Sequence, residues 1–148
     1  MKPASRPWPL CSFFLMLAGA TLVGTGLYFV VLRPALLPED IRYMNLSAME
    51  LAAIGPRLRT WLTHVFLVLG GYILATGALA IALAATSFRE LRWGAAIGAF
   101  IGGVASIGLM AVVNFTINSD FKWVLLAMAL IWAFSLGLFW FEKKNASD

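Results

Sequence analysis

The fold is decided first by residues 10–32, which read LCSFFLMLAGATLVGTGLYFVVL and contain no Asp, Glu, Lys or Arg. An α-helix of this length reaches roughly 34 Å, enough to cross a hydrocarbon core of about 30 Å. The run is too long for a strand and lacks the alternation of apolar and polar residues that a strand shows. It continues twelve residues past Ala18-Gly19-Ala20, whereas a signal peptide has an apolar core of about 7–15 residues. We therefore expect a retained membrane-spanning helix.

Three further uncharged runs follow, at about residues 61–86, 93–115 and 123–141. Tryptophan supports the same boundaries, because its amphipathic indole prefers the headgroup level of a bilayer. Of the six tryptophans, Trp132 lies in the middle of a run, and the others lie at run edges: Trp8, Trp61, Trp93, Trp123 and Trp140. The sequence predicts a single all-α membrane domain over residues 1–148, built as a four-helix transmembrane bundle.

The composition agrees with a membrane protein. Hydrophobic residues make up 61% of the chain and charged residues 12%, against about half and a quarter in an average soluble domain. The net charge of +4 comes from basic residues scattered between the apolar runs, so we expect membrane lipids as partners and no nucleic acid. A single cysteine and a single histidine cannot supply a metal site that needs several such ligands, and we predict no metal and no cofactor.

The connection between the first two spans, residues 33–60, is long enough to have structure of its own. Pro-Glu-Asp at 38–40 is typical of a helix start, because proline suits the first turn and acids favour the positive end of the helix dipole. Ser47 and Glu50 form a capping-box pattern for a second helix. We expect two short interfacial helices here, with span two starting after Gly55-Pro56.

Two motifs resemble small uncharacterised bacterial membrane proteins with four spans. The motifs are Leu36-Leu-Pro-Glu-Asp-Ile-Arg-Tyr-Met44 and Leu69-Gly-Gly-Tyr72, and the likeness covers roughly residues 33–80. The resemblance implies a multi-pass protein of the bacterial inner membrane and supplies no activity, cofactor or catalytic residue. With four spans both termini lie on one side, and the slight excess of basic residues on that side favours cytoplasmic termini.

Span three carries small residues at every fourth position: Gly94, Gly98, Gly102 and Ser106. Such a stripe lets another helix approach closely, which matters where lipid supplies no hydrophobic drive for association. Three interpretations are open: helix packing within the bundle, homodimerisation, and a groove that faces a pore or ligand. We favour packing within the bundle, because glycines also occur in spans one and two.

Polar residues near the loop are the candidates for ligand binding: Glu39, Arg57, Arg59 and His64. Arginine can pair with an anionic headgroup. A functional His64 should point into the bundle towards a polar partner, and the alternative is a neutral interfacial histidine bonded to backbone or headgroup. Asn114 and Asn118 are interpreted as residues that end span three, although Asn114 could also bond across helices.

Three classes of function fit this sequence. Because no span contains Asp, Glu, Lys or Arg, intramembrane charge chemistry is disfavoured, and we favour a non-enzymatic accessory or structural subunit in a homo-oligomer or larger complex. The alternative is a lipid- or small-molecule-binding protein, or an oligomeric transporter, with a site under the 33–60 loop. The third class is an enzyme that uses the loop acids and His64, although no catalytic residue is predicted. A polar cavity beneath the loop would separate the second and third classes from the first.

Overall fold

Helices make up most of the computed structural model, which describes residues 8–146. They are α1 (Leu10–Val31), α2 (Pro38–Met44), α3 (Ala48–Ala53), α4 (Pro56–Ala85), α5 (Trp93–Gly103), α6 (Leu109–Thr116) and α7 (Lys122–Asn145). A π-helical segment, Val104–Gly108, joins α5 to α6 in one continuous span. Four helices are long and apolar enough to cross a membrane: Leu10–Val31, Pro56–Ala85, Trp93–Thr116 and Lys122–Asn145. The predicted all-α, four-span membrane architecture is confirmed.

The loop between the first two spans contains the two predicted short helices. Asp40 Oδ2 accepts a hydrogen bond of 2.9 Å from the backbone N–H of Leu37 at the start of α2. At the start of α3, Ser47 Oγ accepts from the N–H of Glu50 at 3.2 Å, and Glu50 Oε2 accepts from the N–H of Ser47 at 2.9 Å. Hydrogen bonds from Ser47 lower the pKa of the Glu50 carboxyl. The cap is therefore present at neutral pH and is lost only as the pH falls through that lowered pKa.

Span two begins at Pro56, five residues before the apolar run. Gly55 takes an extended conformation and Pro56 occupies the first helical position, where its missing N–H costs no hydrogen bond. The first turns of α4 are therefore polar and exposed, with Arg57 and Arg59 on the helix and not in the loop.

The most extensive helix contact of the bundle joins α1 to α4. It is built on two glycine pairs with a spacing of seven residues, Gly19 and Gly26 on α1, and Gly70 and Gly77 on α4. A Cβ at Gly77 would lie 2.6 Å from the carbonyl oxygen of Gly19, and one at Gly26 would lie 2.5 Å from the backbone nitrogen of Leu74. Only glycine permits this approach, so the two backbones touch directly and gain contact that lipid cannot replace.

Span three packs on α7 through a face that the four-residue stripe does not include. The indole of Trp132 is buried and donates a 2.9 Å hydrogen bond to the carbonyl of Ala99. A Cβ at Gly103 would lie 2.3 Å from Trp132 Nε1, so Gly103 makes room for the ring. The one tryptophan predicted in mid-span is thus a buried interhelical contact.

The first half of the stripe, Gly94 and Gly98, faces outward from the bundle. A Cβ at Gly94 or Gly98 would meet no atom within 4 Å, and one at Gly102 would meet only the edge of Trp132, at 4.0 Å. Ser106 Oγ donates to the carbonyl of Gly102 on its own helix. Packing within the described chain therefore uses Ala99 and Gly103, one position along from the stripe, and homodimerisation through Gly94 and Gly98 stays a prediction.

Both ends of the bundle meet on one side, as an even number of spans requires. The carboxylate of Glu142 on α7 accepts hydrogen bonds from the backbone N–H groups of Leu10 at 2.8 Å and Cys11 at 3.4 Å. These N–H groups have no partner within α1, and an acid at a helix N-terminus is stabilising. On the same side the guanidinium of Arg89 lies 4.4 Å from the ring centre of Trp8.

The Gly77→Ala variant tests the α1–α4 contact. The added methyl group would meet rigid α1 backbone at 2.6–2.7 Å, so the free energy of unfolding should fall by about 1–3 kcal/mol. Gly71→Ala is the matched control, because a Cβ there meets nothing within 4 Å. Unfolding in detergent micelles, followed by circular dichroism, measures both. Equal stability of the two variants would contradict the glycine contact.

Candidate functional site

A cavity of about 510 Å³ lies between α4 and the second half of span three, beneath the 33–60 loop. It forms because α4 packs chiefly on α1 and makes far less contact with span three, chiefly with α5. Towards the loop the two spans separate and leave a wedge with α1 as its floor. The volume lies within the 300–1,000 Å³ range of small-molecule sites.

The walls of the cavity are mostly apolar and run into the membrane region. On α4 the lining extends from Phe66 to Thr76, a distance of roughly 15 Å along the helix. On the opposite wall it extends from Ile117 to Ala105, which lies in the π-helical segment, a type of helical irregularity that is frequent at functional sites. The cavity thus has the shape of a groove with its inner end at mid-span and its mouth at the loop.

The mouth of the cavity contains the charged residues of its lining, Arg33, Glu39 and Asp40. The Arg33 side chain, 6% exposed, pairs with Asp40 at 3.3 Å and places its guanidinium carbon 3.2 Å from the ring centre of Phe66. Burial lowers the pKa of the Arg33 guanidinium, and the Asp40 carboxylate opposes that shift. Arginine stays charged in proteins, so a buried cation stacked on an aromatic ring closes one side of the mouth.

Glu39 is the buried acid of the mouth, with 3% of the residue exposed. Its Oε1 accepts a 3.2 Å hydrogen bond from the hydroxyl of Ser119. Ser119 belongs to the connection between spans three and four, so this bond joins α2 to the opposite wall. With one guanidinium and two carboxylates, the mouth has one more formal negative charge than positive.

The loop is held over the cavity by a second contact with the same connection. Arg42 donates to the carboxylate of Asp120 at 2.9 Å and to the carbonyl of Asn118 at 3.1 Å. Asn118 itself takes a left-handed conformation with φ of 53°, which asparagine tolerates better than most residues. As predicted, Asn118 ends span three, and the α2 helix is tied to that end.

A second cavity of about 450 Å³ lies on the other side of α6, between α1 and α7. Phe29, Met110 and Asn114 line both cavities and form the wall between them. Asn114 Nδ2 donates to the carbonyl of Met110 on its own helix at 2.8 Å. Asn114 also lies in the last turn of α6, where its carbonyl accepts a 2.9 Å hydrogen bond from the N–H of Ser119 in the turn that ends the span. Among residues 8–146 its Oδ1 accepts no hydrogen bond.

Of the residues predicted to bind a ligand, Glu39 alone lines the larger cavity. Arg59 donates to the carbonyl of Leu51 at 2.8 Å and so holds the start of α4 against α3. His64 is exposed, with Nδ1 2.8 Å from the carbonyl oxygen of Thr60 in the preceding turn, as in the interfacial interpretation. Arg57 is also exposed. These three residues lie outside the cavity because they belong to the exposed first turns of α4, before Phe66, where the lining of that helix begins.

Arg33 and Asp40 were not among the predicted ligand-binding residues. Hydropathy assigns Arg33 to the end of span one, and the Pro-Glu-Asp pattern assigns Asp40 to the start of α2. Their partnership depends on the path of the loop back over Phe66, which no local pattern specifies. Comparison with protein-family models, curated proteins and solved structures gives no match to this chain.

The Arg33→Leu variant tests whether the mouth depends on the buried guanidinium. Loss of the ion pair and of the contact with Phe66 should lower the free energy of unfolding by about 2–3 kcal/mol. Arg57→Leu is the control, because Arg57 is exposed and makes no hydrogen bond or ion pair with residues 8–146. This variant should change the free energy of unfolding by less than about 0.5 kcal/mol. Denaturant titration in micelles measures both, and a neutral Arg33→Leu variant would contradict the assignment.

Proposed function

We propose that this membrane protein binds an amphipathic, lipid-like molecule in the groove between α4 and span three. The apolar part lies along the groove, and the polar head lies at the mouth with the loop as its cover. One observation carries the proposal: the groove is apolar along its length and ends at buried charged groups, so it suits a molecule with an apolar chain and a polar head.

Three features of the groove support an amphiphile over a water-soluble ligand. The apolar lining reaches from the loop to mid-span, where a hydrocarbon chain is the natural occupant. The groove lies between two membrane-spanning helices, so a ligand can enter from the lipid phase. The polar groups are concentrated at one end, as in sites where a few polar contacts fix the orientation of a mainly apolar ligand.

The Ala105→Trp variant tests this function. Ala105 is exposed and lines the inner half of the groove, so an indole there would occupy space that the chain of the ligand needs. Native mass spectrometry of protein extracted in mild detergent should show a retained amphiphile on the wild type. Retention by Ala105→Trp should weaken by about tenfold or more, the equivalent of about 1.4 kcal/mol.

Ala127→Trp is the matched control for this experiment. Ala127 is an exposed alanine of α7 that lines neither cavity, and its variant should retain the amphiphile as the wild type does. If the wild type retains none, or if both variants retain it equally, the proposal is overturned.

A second candidate function is that of a non-enzymatic accessory subunit, in a homo-oligomer or a larger complex. It is favoured by the open space over Gly94 and Gly98 on α5, since small residues at a four-residue spacing commonly mark helix association in membranes. This function is compatible with ligand binding, because the stripe and the groove concern different residues, apart from Ser106 at the edge of both.

The Gly98→Leu variant tests the accessory function. If Gly98 contacts a second copy, the leucine should shift the protein from dimer to monomer in native mass spectra, because the backbones can no longer approach. Gly137→Leu on α7, where a Cβ also meets nothing within 4 Å, should leave the mass distribution unchanged. A wild type that is monomeric and retains no other subunit would argue against this candidate.

A further inference from the structure

The carboxylate of Glu39 is only half satisfied within the protein. Its Oε1 accepts the hydrogen bond from Ser119, whereas Oε2 accepts none from residues 8–146. The residue is 97% buried, since 3% is exposed, and it lines the mouth of the groove. Oε2 is not among the enclosed polar atoms that lack a partner, so it keeps accessible surface at the mouth and presents a hydrogen-bond acceptor to whatever occupies the groove.

The Ser119 hydroxyl cannot satisfy both oxygens of the Glu39 carboxylate. Ser119 is 1% exposed, and its Oγ accepts a 3.1 Å hydrogen bond from the backbone N–H of Phe121. This bond leaves the single hydroxyl proton for Glu39 Oε1, because a hydroxyl has one donor. The Ser119 contact therefore fixes the carboxylate in place while Oε2 stays free.

Arg33, the nearest cation, is already committed to other groups. Its terminal nitrogens donate to the carbonyl of Pro34 at 3.0 Å and to Asp40 at 3.3 Å, and its plane stacks on Phe66. Its remaining nitrogen, Nε, is enclosed by protein atoms without a hydrogen-bond partner, so a ligand in the groove cannot reach it. Arg33 pairs with Asp40 and also attracts Glu39 electrostatically, so the three groups together carry one formal negative charge in excess.

We infer that the amphiphile carries a primary ammonium group in its head, and that this group donates a hydrogen bond to Glu39 Oε2. The inference rests on the proposed function and names the chemistry of the head. A primary ammonium fits better than a hydroxyl because it cancels the excess charge and makes a stronger, charge-assisted bond. It also fits better than a quaternary ammonium, which has no N–H to donate.

The test compares three phospholipids with identical acyl chains on the wild-type protein by native mass spectrometry. Phosphatidylethanolamine, with its primary ammonium, should be retained about tenfold or more above phosphatidylglycerol. Phosphatidylcholine, with a quaternary ammonium, should be retained clearly less than phosphatidylethanolamine. The same comparison is made for single-chain amphiphiles with dodecylamine and sodium dodecanoate. If the protein prefers dodecylamine but shows no preference among the phospholipids, the ligand is a single-chain amine, which is still of the inferred class.

The Glu39→Gln variant tests whether the preference for a primary ammonium depends on the Glu39 carboxylate. It keeps the side-chain size and removes the charge, so retention should continue while the preference for the primary ammonium falls to within about twofold. Glu50→Gln is the control, because Glu50 is an exposed acid of the same loop. This variant should prefer the primary ammonium as strongly as the wild type does. If Glu39→Gln fails to fold, the wild-type comparison among the lipids still decides.

The results distinguish failure of the inference from failure of the proposed function. Retention that depends on Ala105 but not on the headgroup, or that favours phosphatidylglycerol, overturns the ammonium inference and leaves the groove as a binding site. Equal retention of phosphatidylcholine and phosphatidylethanolamine, without an amine preference in the single-chain pair, also overturns it. Retention that is unaffected by Ala105→Trp overturns the proposed function itself.

Discussion

Direct backbone contact between α1 and α4 is the constraint on which the rest of the bundle depends. In a bilayer, apolar side chains gain little by leaving lipid for protein, so helices associate where their surfaces allow dense contact. At Gly19 and Gly77 the two backbones lie so close that a Cβ on either residue would overlap the backbone of the other helix. Because α4 is bound to α1 in this way, it diverges from span three towards the loop, and the groove is the space that this divergence leaves.

The same contact fixes the polar end of the groove. Arg33 follows α1 directly, and Phe66 belongs to α4, so the stacking of the guanidinium on the ring joins the two helices just beyond their closest approach. Asp40 then draws α2 over the mouth, and Arg42 with Asp120 ties α2 to the connection before α7. The loop is therefore a structured cover, held by the buried Arg33 with Asp40 and Phe66 and by the exposed Arg42–Asp120 pair.

Much of this architecture could be predicted from the sequence. The four spans could be predicted because hydrocarbon excludes charged side chains, so that charges fall only at the ends and in the loops. The start of α3 could be predicted because the Ser47 and Glu50 cap depends on residues three apart. Such features are local, and local patterns specify them.

The choice of packing faces and the composition of the mouth depend on distant partners and could not be predicted. The four-residue stripe at Gly94 and Gly98 is the more regular pattern, yet the bundle uses the seven-residue pairs on α1 and α4, because only these meet a complementary backbone. Arginines near a membrane surface are expected to reach for water, as Arg57 does. Arg33 instead turns inward, because an acid and an aromatic ring from other elements are placed to receive it.

Photo-crosslinking in the membrane tests most directly whether the groove holds an amphiphile. A phosphatidylethanolamine with a photoreactive group on its acyl chain would be activated in vesicles that contain the full-length protein, and the modified residues mapped by mass spectrometry. If the groove holds the lipid, modification should concentrate on groove residues such as Leu69 and Leu109. Modification spread evenly over these and over exposed residues outside the groove, such as Leu79 and Leu130, would contradict it.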